Sequence, residues 1–131
     1  MAASESNEQL LGMLRHSITE LVRREGPDLT ARQLATFLIC YLESEAQTVR
    51  GLAAKLNISK PAVTRALDRL VEFDLVRRKD DPLDRRSILV QRTQTGLGFL
   101  RELRGIVKEA ATQARHVTGA AASRAELRAV T

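Results

Sequence analysis

The sequence predicts a mainly α-helical protein with a small β wing, a winged helix-turn-helix flanked by N- and C-terminal helices. Three observations predict it. Apolar residues recur at helical spacing in five segments. Aromatic residues make up only 3% of the 131-residue chain, so the core is built from Leu, Val, Ile and Ala, which favours packed helices over an aromatic-rich sheet. Residues 48–92 read as helix, tight turn, second helix and basic two-stranded hairpin in unbroken order.

The first helix, over 8–24, carries Leu10, Leu11, Leu14, Ile18, Leu21 and Val22 on its apolar face and ends ahead of Gly26 and Pro27. Thr30 opens the next with Gln33 three residues on, a capping-box pattern bracketed by Leu29 and Leu34, and this helix is expected to run to about residue 44. Thr48 caps a third helix whose buried stripe is Val49, Leu52, Ala53 and Leu56, and Asn57 tolerates the left-handed turn at its end. Ser59 then caps the fourth helix. Ile58 and Val63 form a hydrophobic staple across this cap, and Pro61 falls in the first turn, where its missing N–H costs nothing.

Along 59–73, Val63, Ala66, Leu67, Leu70 and Val71 are expected to pack inward, leaving Lys60, Ala62, Thr64, Arg65, Asp68 and Arg69 outside. Small residues that permit close approach mixed with long basic ones suit a groove-reading face, although a solvated helix surface carries similar residues. Leu75–Lys79 and Ser87–Gln91 are candidate strands. The seven residues 80–86, with Pro82 and three Asp, predict a loop held partly by side-chain hydrogen bonds rather than a two-residue turn. Thr93 caps a last helix with Leu97, Leu100, Leu103, Ile106, Val107, Ala110, Ala111 and Ala114. Gly98 and Gly105 weaken it locally while permitting close approach of a neighbour.

Charge follows the motif. Between 48 and 92 there are eleven bases (Arg50, Lys55, Lys60, Arg65, Arg69, Arg77, Arg78, Lys79, Arg85, Arg86, Arg92) and six acids (Asp68, Glu72, Asp74, Asp80, Asp81, Asp84). The excess equals the +5 of the whole chain, so the rest of the sequence is balanced and the positive charge is concentrated here. A polyanion is the matching partner, and nucleic acid is the natural one for this scaffold.

The run TVRGLAAKLNISKPAVTRALDRLVEFDLVRRKDDPLDRRSILVQRTQTG resembles the winged helix-turn-helix of MarR-type bacterial transcription regulators. The matching features are Leu52–Ala53, the SKPAVTR run from Ser59 to Arg65, the LVRR run from Leu75 to Arg78, the DRR wing tip from Asp84 to Arg86, and Thr93 with Gly96. The resemblance implies a transcription regulator, with a repressor as the leading reading, that binds double-stranded DNA as a homodimer at a pseudo-palindromic operator. It assigns major-groove contacts to Lys60, Ala62, Thr64 and Arg65 beside the Ser59 cap, phosphate anchoring to Arg50 and Arg69, and minor-groove contacts to Arg85 and Arg86. It implies dimerisation through an N-terminal region, 1–28, and a C-terminal helix, 93–117, on either side of a DNA-binding region, 29–92. Residues 118–131 read as an Ala-rich, weakly amphipathic tail, partly ordered, in place of a further C-terminal helix common in the family. Many members respond to a small aromatic effector, which nothing in this sequence specifies. The alternative, from a different class, is a winged-helix interaction module that binds another regulator.

Other classes find less support. There is no glycine-rich phosphate loop, metal-protease motif or nucleophile–base–acid set, so neither catalysis nor a cofactor is expected. No apolar run is long enough to cross a bilayer, and residues 1–7 lack the apolar core of a secretory signal, so a cytoplasmic protein without membrane association is expected. Cys40, the only cysteine, is flanked by Leu38, Ile39, Tyr41 and Leu42 and reads as a small core residue rather than a redox sensor. His16 and His116 are a poor metal set without Cys or clustered carboxylates.

Overall fold

Side-chain caps fix where the helices begin. Ser6 and Gln9 exchange capping hydrogen bonds at the start of α1 (Asn7–Arg23), and Thr30 and Gln33 do so at α2 (Ala31–Leu42). The Thr48 hydroxyl accepts from the Gly51 N–H at 3.0 Å to open α3 (Val49–Leu56). Asn57 closes that helix at φ 53° and ψ 47°, in the left-handed region its short polar side chain tolerates. Ser59 accepts from the Ala62 N–H at 3.2 Å and opens α4 (Lys60–Glu72), with Pro61 in the first turn. The hairpin strands β1 (Val76–Asp81) and β2 (Asp84–Arg92) follow, and then α5 (Gln94–Val130), whose first turn is capped by Thr93 accepting from the Gly96 N–H at 2.9 Å.

The computed structural model describes residues 6–130, and their side chains as far as residue 115. Within these, α5 continues past the expected end at 117. The side-chain surroundings of His116 and of 118–131, on which the reading of the two histidines and of the tail rests, lie outside the described residues.

The chain divides into two compact units. The first, Pro27–Arg101, holds α2, α3, α4, the hairpin and the opening turns of α5. Phe37, Leu52, Val63, Leu67, Leu70, Leu75 and Val76 are its large fully buried apolar side chains. Phe37 stacks on Tyr41 with ring centroids 4.4 Å apart and meets the edge of Phe99 at 4.9 Å, so three of the four aromatic residues form one cluster. The second unit joins α1 to α5 from Glu102 onward. Leu103 and Ala110 are buried in it, and Arg24 pairs with Glu102 at 2.5 Å.

The hairpin departs from expectation at its tip. Only Pro82 and Leu83 separate the strands, so the connection is a two-residue turn and not the seven-residue loop that Pro and three Asp suggested. The extra residues are absorbed in the register: Asp80 faces Ile88, yet Asp81 faces Asp84, which leaves Arg85, Arg86 and Ser87 in a bulge without partners. Side-chain hydrogen bonds do hold the tip, as expected. Asp81 Oδ1 accepts from the Leu83 N–H at 2.9 Å, and Asp84 Oδ1 accepts from the Arg86 N–H at 3.0 Å.

The hairpin's base is pinned by Tyr41. Its hydroxyl donates to the Leu75 carbonyl at 2.5 Å and accepts from the Thr93 N–H at 3.0 Å, joining α2 to the residue before β1 and the residue after β2. Gly96 makes this approach possible, because a Cβ there would lie 1.7 Å from the Tyr41 hydroxyl oxygen and 2.4 Å from the Leu75 carbonyl. Gly98 and Gly105, the glycines expected to permit close approach, do not serve that purpose among the described residues. A Cβ at Gly105 meets nothing within 4 Å, and one at Gly98 only Arg101 Nη2 at 3.8 Å.

Gly96→Ala is therefore expected to destabilise the protein by about 1–3 kcal/mol or more through overpacking and loss of the Tyr41 bonds. Gly98→Ala, two residues along the same helix, is expected to stabilise by about 0.5–1 kcal/mol through helix propensity. Urea unfolding of the two variants, compared at fixed protein concentration, measures both signs.

Candidate nucleic-acid interface

The turn between α3 and α4 consists of Asn57, Ile58 and Ser59, and the Ile58 N–H reaches the Ala53 carbonyl at 3.1 Å to finish the first helix. The entry angle of α4 is thus set by hydrogen bonds at both ends of three residues. Its inward face is Ala62, Val63, Ala66, Leu67 and Leu70. Lys60, Thr64, Arg65, Asp68 and Arg69 lie on the exposed side, as the spacing predicts.

Ala62 is a correction. It is only 6% exposed and belongs to the core, so it is not on the groove-reading face assigned to it. The inward face is rotated slightly from the predicted one, with Ala62 taken in and Val71 left half-buried. A methyl side chain made the two placements equivalent in sequence, and packing against the rest of the unit decides between them.

A cleft of about 310 Å³ opens between the starts of α3 and α4 and the wing. Arg50 enters from α3 and Lys60 and Thr64 from α4, with Asp84, Arg86, Ser87 and Ile88 from β2. Four of the residues singled out from the sequence, Arg50, Lys60, Thr64 and Arg86, therefore meet at one concave surface. Arg65 and Arg85 are exposed outside the cleft lining. Ser59 is exposed with its hydroxyl engaged as a cap. Arg69 is held on the helix surface by Glu72 at 2.6 Å and lies over the Phe73 ring at 4.6 Å.

The cations between residues 48 and 92 fall into two groups. Arg69, Arg77, Arg78 and Lys55 pair with Glu72, Asp74, Asp68 and Glu43. Arg92 is spent on the C-terminal end of α2, donating to the Cys40 carbonyl at 3.0 Å and the Glu43 carbonyl at 2.7 Å, with its guanidinium 5.6 Å from the Tyr41 ring centre. Arg50, Lys60, Arg65, Lys79, Arg85 and Arg86 form no ion pair among the described residues. The unpaired charge of this segment is thus carried by α3, the exposed side of α4 and the wing, where an anion can approach.

Three structural contributors were not evident from the sequence. Arg78, on β1, donates to the Thr64 carbonyl at 3.2 Å and pairs with Asp68, tying the wing to the outward face of α4. Arg92 was counted with the free bases. The segment before α3 also joins the hairpin: Thr48 bridges to Leu89, and the Val90 N–H donates to the Gln47 carbonyl at 2.9 Å. Gln47 is buried and bonds to Glu43, the Glu45 carbonyl and Lys55. A Gln among polar neighbours offers no periodic signal for this placement.

Cys40 is buried, and burial pushes its thiol up to about 11, partly opposed by Arg92. The neutral thiol at neutral pH agrees with a core role. No group of three or more His, Cys, Asp or Glu side chains suited to a metal occurs among the described residues. No helix among them is long and apolar enough to cross a membrane.

A capped helix pair, a second helix with an exposed basic face, and a two-stranded wing define a winged helix-turn-helix protein. Residues 29–88 match the model of the MarR family. No curated protein matches the sequence. Among solved structures, the chain is similar to the S. aureus MepR–DNA complex (18% identity, 92% of this chain and 93% of that one, TM-score 0.64). It is likewise similar to wild-type apo MarR from E. coli (23%, 98% and 98%, TM-score 0.63). A MarR transcriptional regulator from Methanosarcina mazei Go1 shares 23% identity over 91% of this chain and 92% of that one, with a TM-score of 0.61. Mostly helical architecture with a two-stranded wing is common to the fold these share.

If Arg78 tethers the wing, Arg78→Ala will accelerate amide hydrogen exchange in β1 and β2 while leaving α2 unchanged. An exposed ion pair of this kind contributes about 0.2–1 kcal/mol, so global stability is expected to fall only slightly.

Proposed function

We propose that this protein is a sequence-specific, double-stranded DNA-binding transcription regulator that acts as a homodimer on a pseudo-palindromic operator and represses by blocking promoter access. The observation that carries the reading is the cleft in which Arg50, Lys60 and Arg86, all without internal ion pairs among the described residues, converge from three elements. An α-helix with its side chains is about 10–12 Å wide and fits a major groove about 12 Å wide. In this reading α4 enters that groove with Lys60, Thr64 and Arg65, Arg50 and Arg69 hold phosphates, and Arg85 and Arg86 on the bulged wing reach the adjacent minor groove. The structurally similar MepR is described in complex with DNA, which supports DNA as the partner.

The dimer rests on α1. Leu10, Leu14, Ile18 and Val22 recur every fourth residue with Leu11 beside them, and all five are 48–65% exposed. A single exposed aliphatic residue needs no partner, whereas a stripe along a whole helix marks a buried face in an assembly. A second copy covers it in an isologous contact and presents two α4 helices to successive major grooves, about 34–36 Å apart.

Selection of bound duplexes from a random pool tests the function: a palindrome with half-sites one helical turn apart is expected, and recovery of no duplex would overturn the reading. Arg65→Ala is expected to cost about 1–3 kcal/mol in DNA binding and to relax preference at one base position in each half-site. A titration in which affinity and preference are unchanged removes Arg65 from the assignment. Ile18→Glu places a charge in the proposed interface and is expected to shift sedimentation from dimer to monomer.

A further inference from the structure

The wing ends in an aliphatic side chain for which the folded protein has no use. Leu83 is 94% exposed, the most exposed of the large apolar residues among those described. It lies on the two-residue turn, so its side chain stands at the outermost point of the hairpin. The tip is organised around it. Asp81 holds the Leu83 N–H, Asp84 holds the Arg86 N–H, and Pro82 fixes φ on the preceding residue, so the turn has little conformational freedom left to lose on binding. These bonds also direct two of the acids at the tip toward backbone N–H groups. Beside the turn, the bulge sets out Arg85 and Arg86, and Asp84 and Arg86 line the cleft shared with α4.

An apolar side chain on a rigid turn, flanked by unpaired arginines, has the chemistry of a minor-groove contact. The arginines are drawn by the groove's negative potential, and an aliphatic group packs against the deoxyribose walls or the edge of a base step. We propose that Leu83 is a minor-groove residue of the wing, buried against DNA sugars beside the base pairs read by α4. This deepens the DNA-binding reading and rests on it. The contribution of Leu83 is apolar, so it adds affinity without releasing counterions, unlike that of Arg85 or Arg86. Because the packing requires entry of the tip into the groove, it also favours flanking sequences whose minor groove admits the turn.

The test compares the full-length wild type with Leu83→Ala, Leu83→Met and Arg86→Ala on a duplex recovered by selection with the wild type, across a range of salt concentrations. Leu83→Ala is expected to weaken binding about three- to tenfold at every salt concentration, with the slope of log affinity against log salt unchanged. Leu83→Met is expected to restore most of the loss, and Arg86→Ala to reduce the slope by about one. Hydroxyl-radical footprints are expected to lose protection in the flanking minor groove with Leu83→Ala while keeping it where α4 binds. Thermal melting serves as the control for folding, and no change is expected for a side chain this exposed. Wild-type affinity and footprint in Leu83→Ala would overturn the proposal while leaving DNA binding intact. Failure of the wild type to select or bind any duplex would overturn the DNA-binding reading and this inference with it.

Discussion

The Tyr41 hydroxyl is the point on which the arrangement of the winged-helix unit depends. One oxygen donates to the Leu75 carbonyl and accepts from the Thr93 N–H, and so holds the two ends of the hairpin to α2. A buried backbone carbonyl and a buried N–H are satisfied by one side chain, and losing it would leave both without that partner in the core. The ring is fixed in turn by stacking on Phe37, and the space beside its oxygen is kept by the missing side chain of Gly96. Everything the wing presents at its far end is referred back to this bond. A rotation at the base of a hairpin is amplified along its length, so the position of Arg86 relative to Lys60 is decided some distance from either.

Electrostatics then sorts the bases. The charge count localises the excess to 48–92 but treats eleven cations as equal, and in the folded chain they are not. Arg78 and Arg92 are structural: one braces the wing against α4, and the other covers carbonyls at the end of α2. Their geometry is worth more to the fold than their charge is to the surface. What remains unpaired among the described residues, Arg50, Lys60, Arg65, Lys79, Arg85 and Arg86, is a smaller set than composition suggests, and two of its members, Arg50 and Lys60, stand at helix starts where the peptide dipoles add to the positive field.

The sequence was most legible where structure is local. Thr30 with Gln33, Thr48, Asn57 and Ser59 do what their positions predict, because a cap or a left-handed residue is decided by neighbours within a few positions. The buried face of α4 was legible apart from two residues, Val71, which is left half-buried, and Ala62, whose small side chain gives periodicity little to act on. Features that depend on distant partners were not legible. The Tyr41 bonds span 34 and 52 residues, the Arg92 bonds 52 and 49, and nothing in the local pattern announces them. The wing shows the same division in one element: Pro and Asp correctly signalled a turn held by side chains, but the length of the connection depended on how far the opposing strand continued.

The register break between Asp80 and Asp81 separates the hairpin into two parts with different obligations. Below it, Val76 to Asp80 pair in strict alternation with Ile88 to Arg92, and any insertion would turn inward-facing side chains outward. Above it, alternation has already been abandoned, and residues 81–87 answer only to the turn and to whatever meets them from outside. Length and chemistry at the tip are therefore free to vary between related chains without reaching the core. The wing acts as an exchangeable fingertip on a fixed joint, and changes in what it touches need carry no debt to the stability of what holds it.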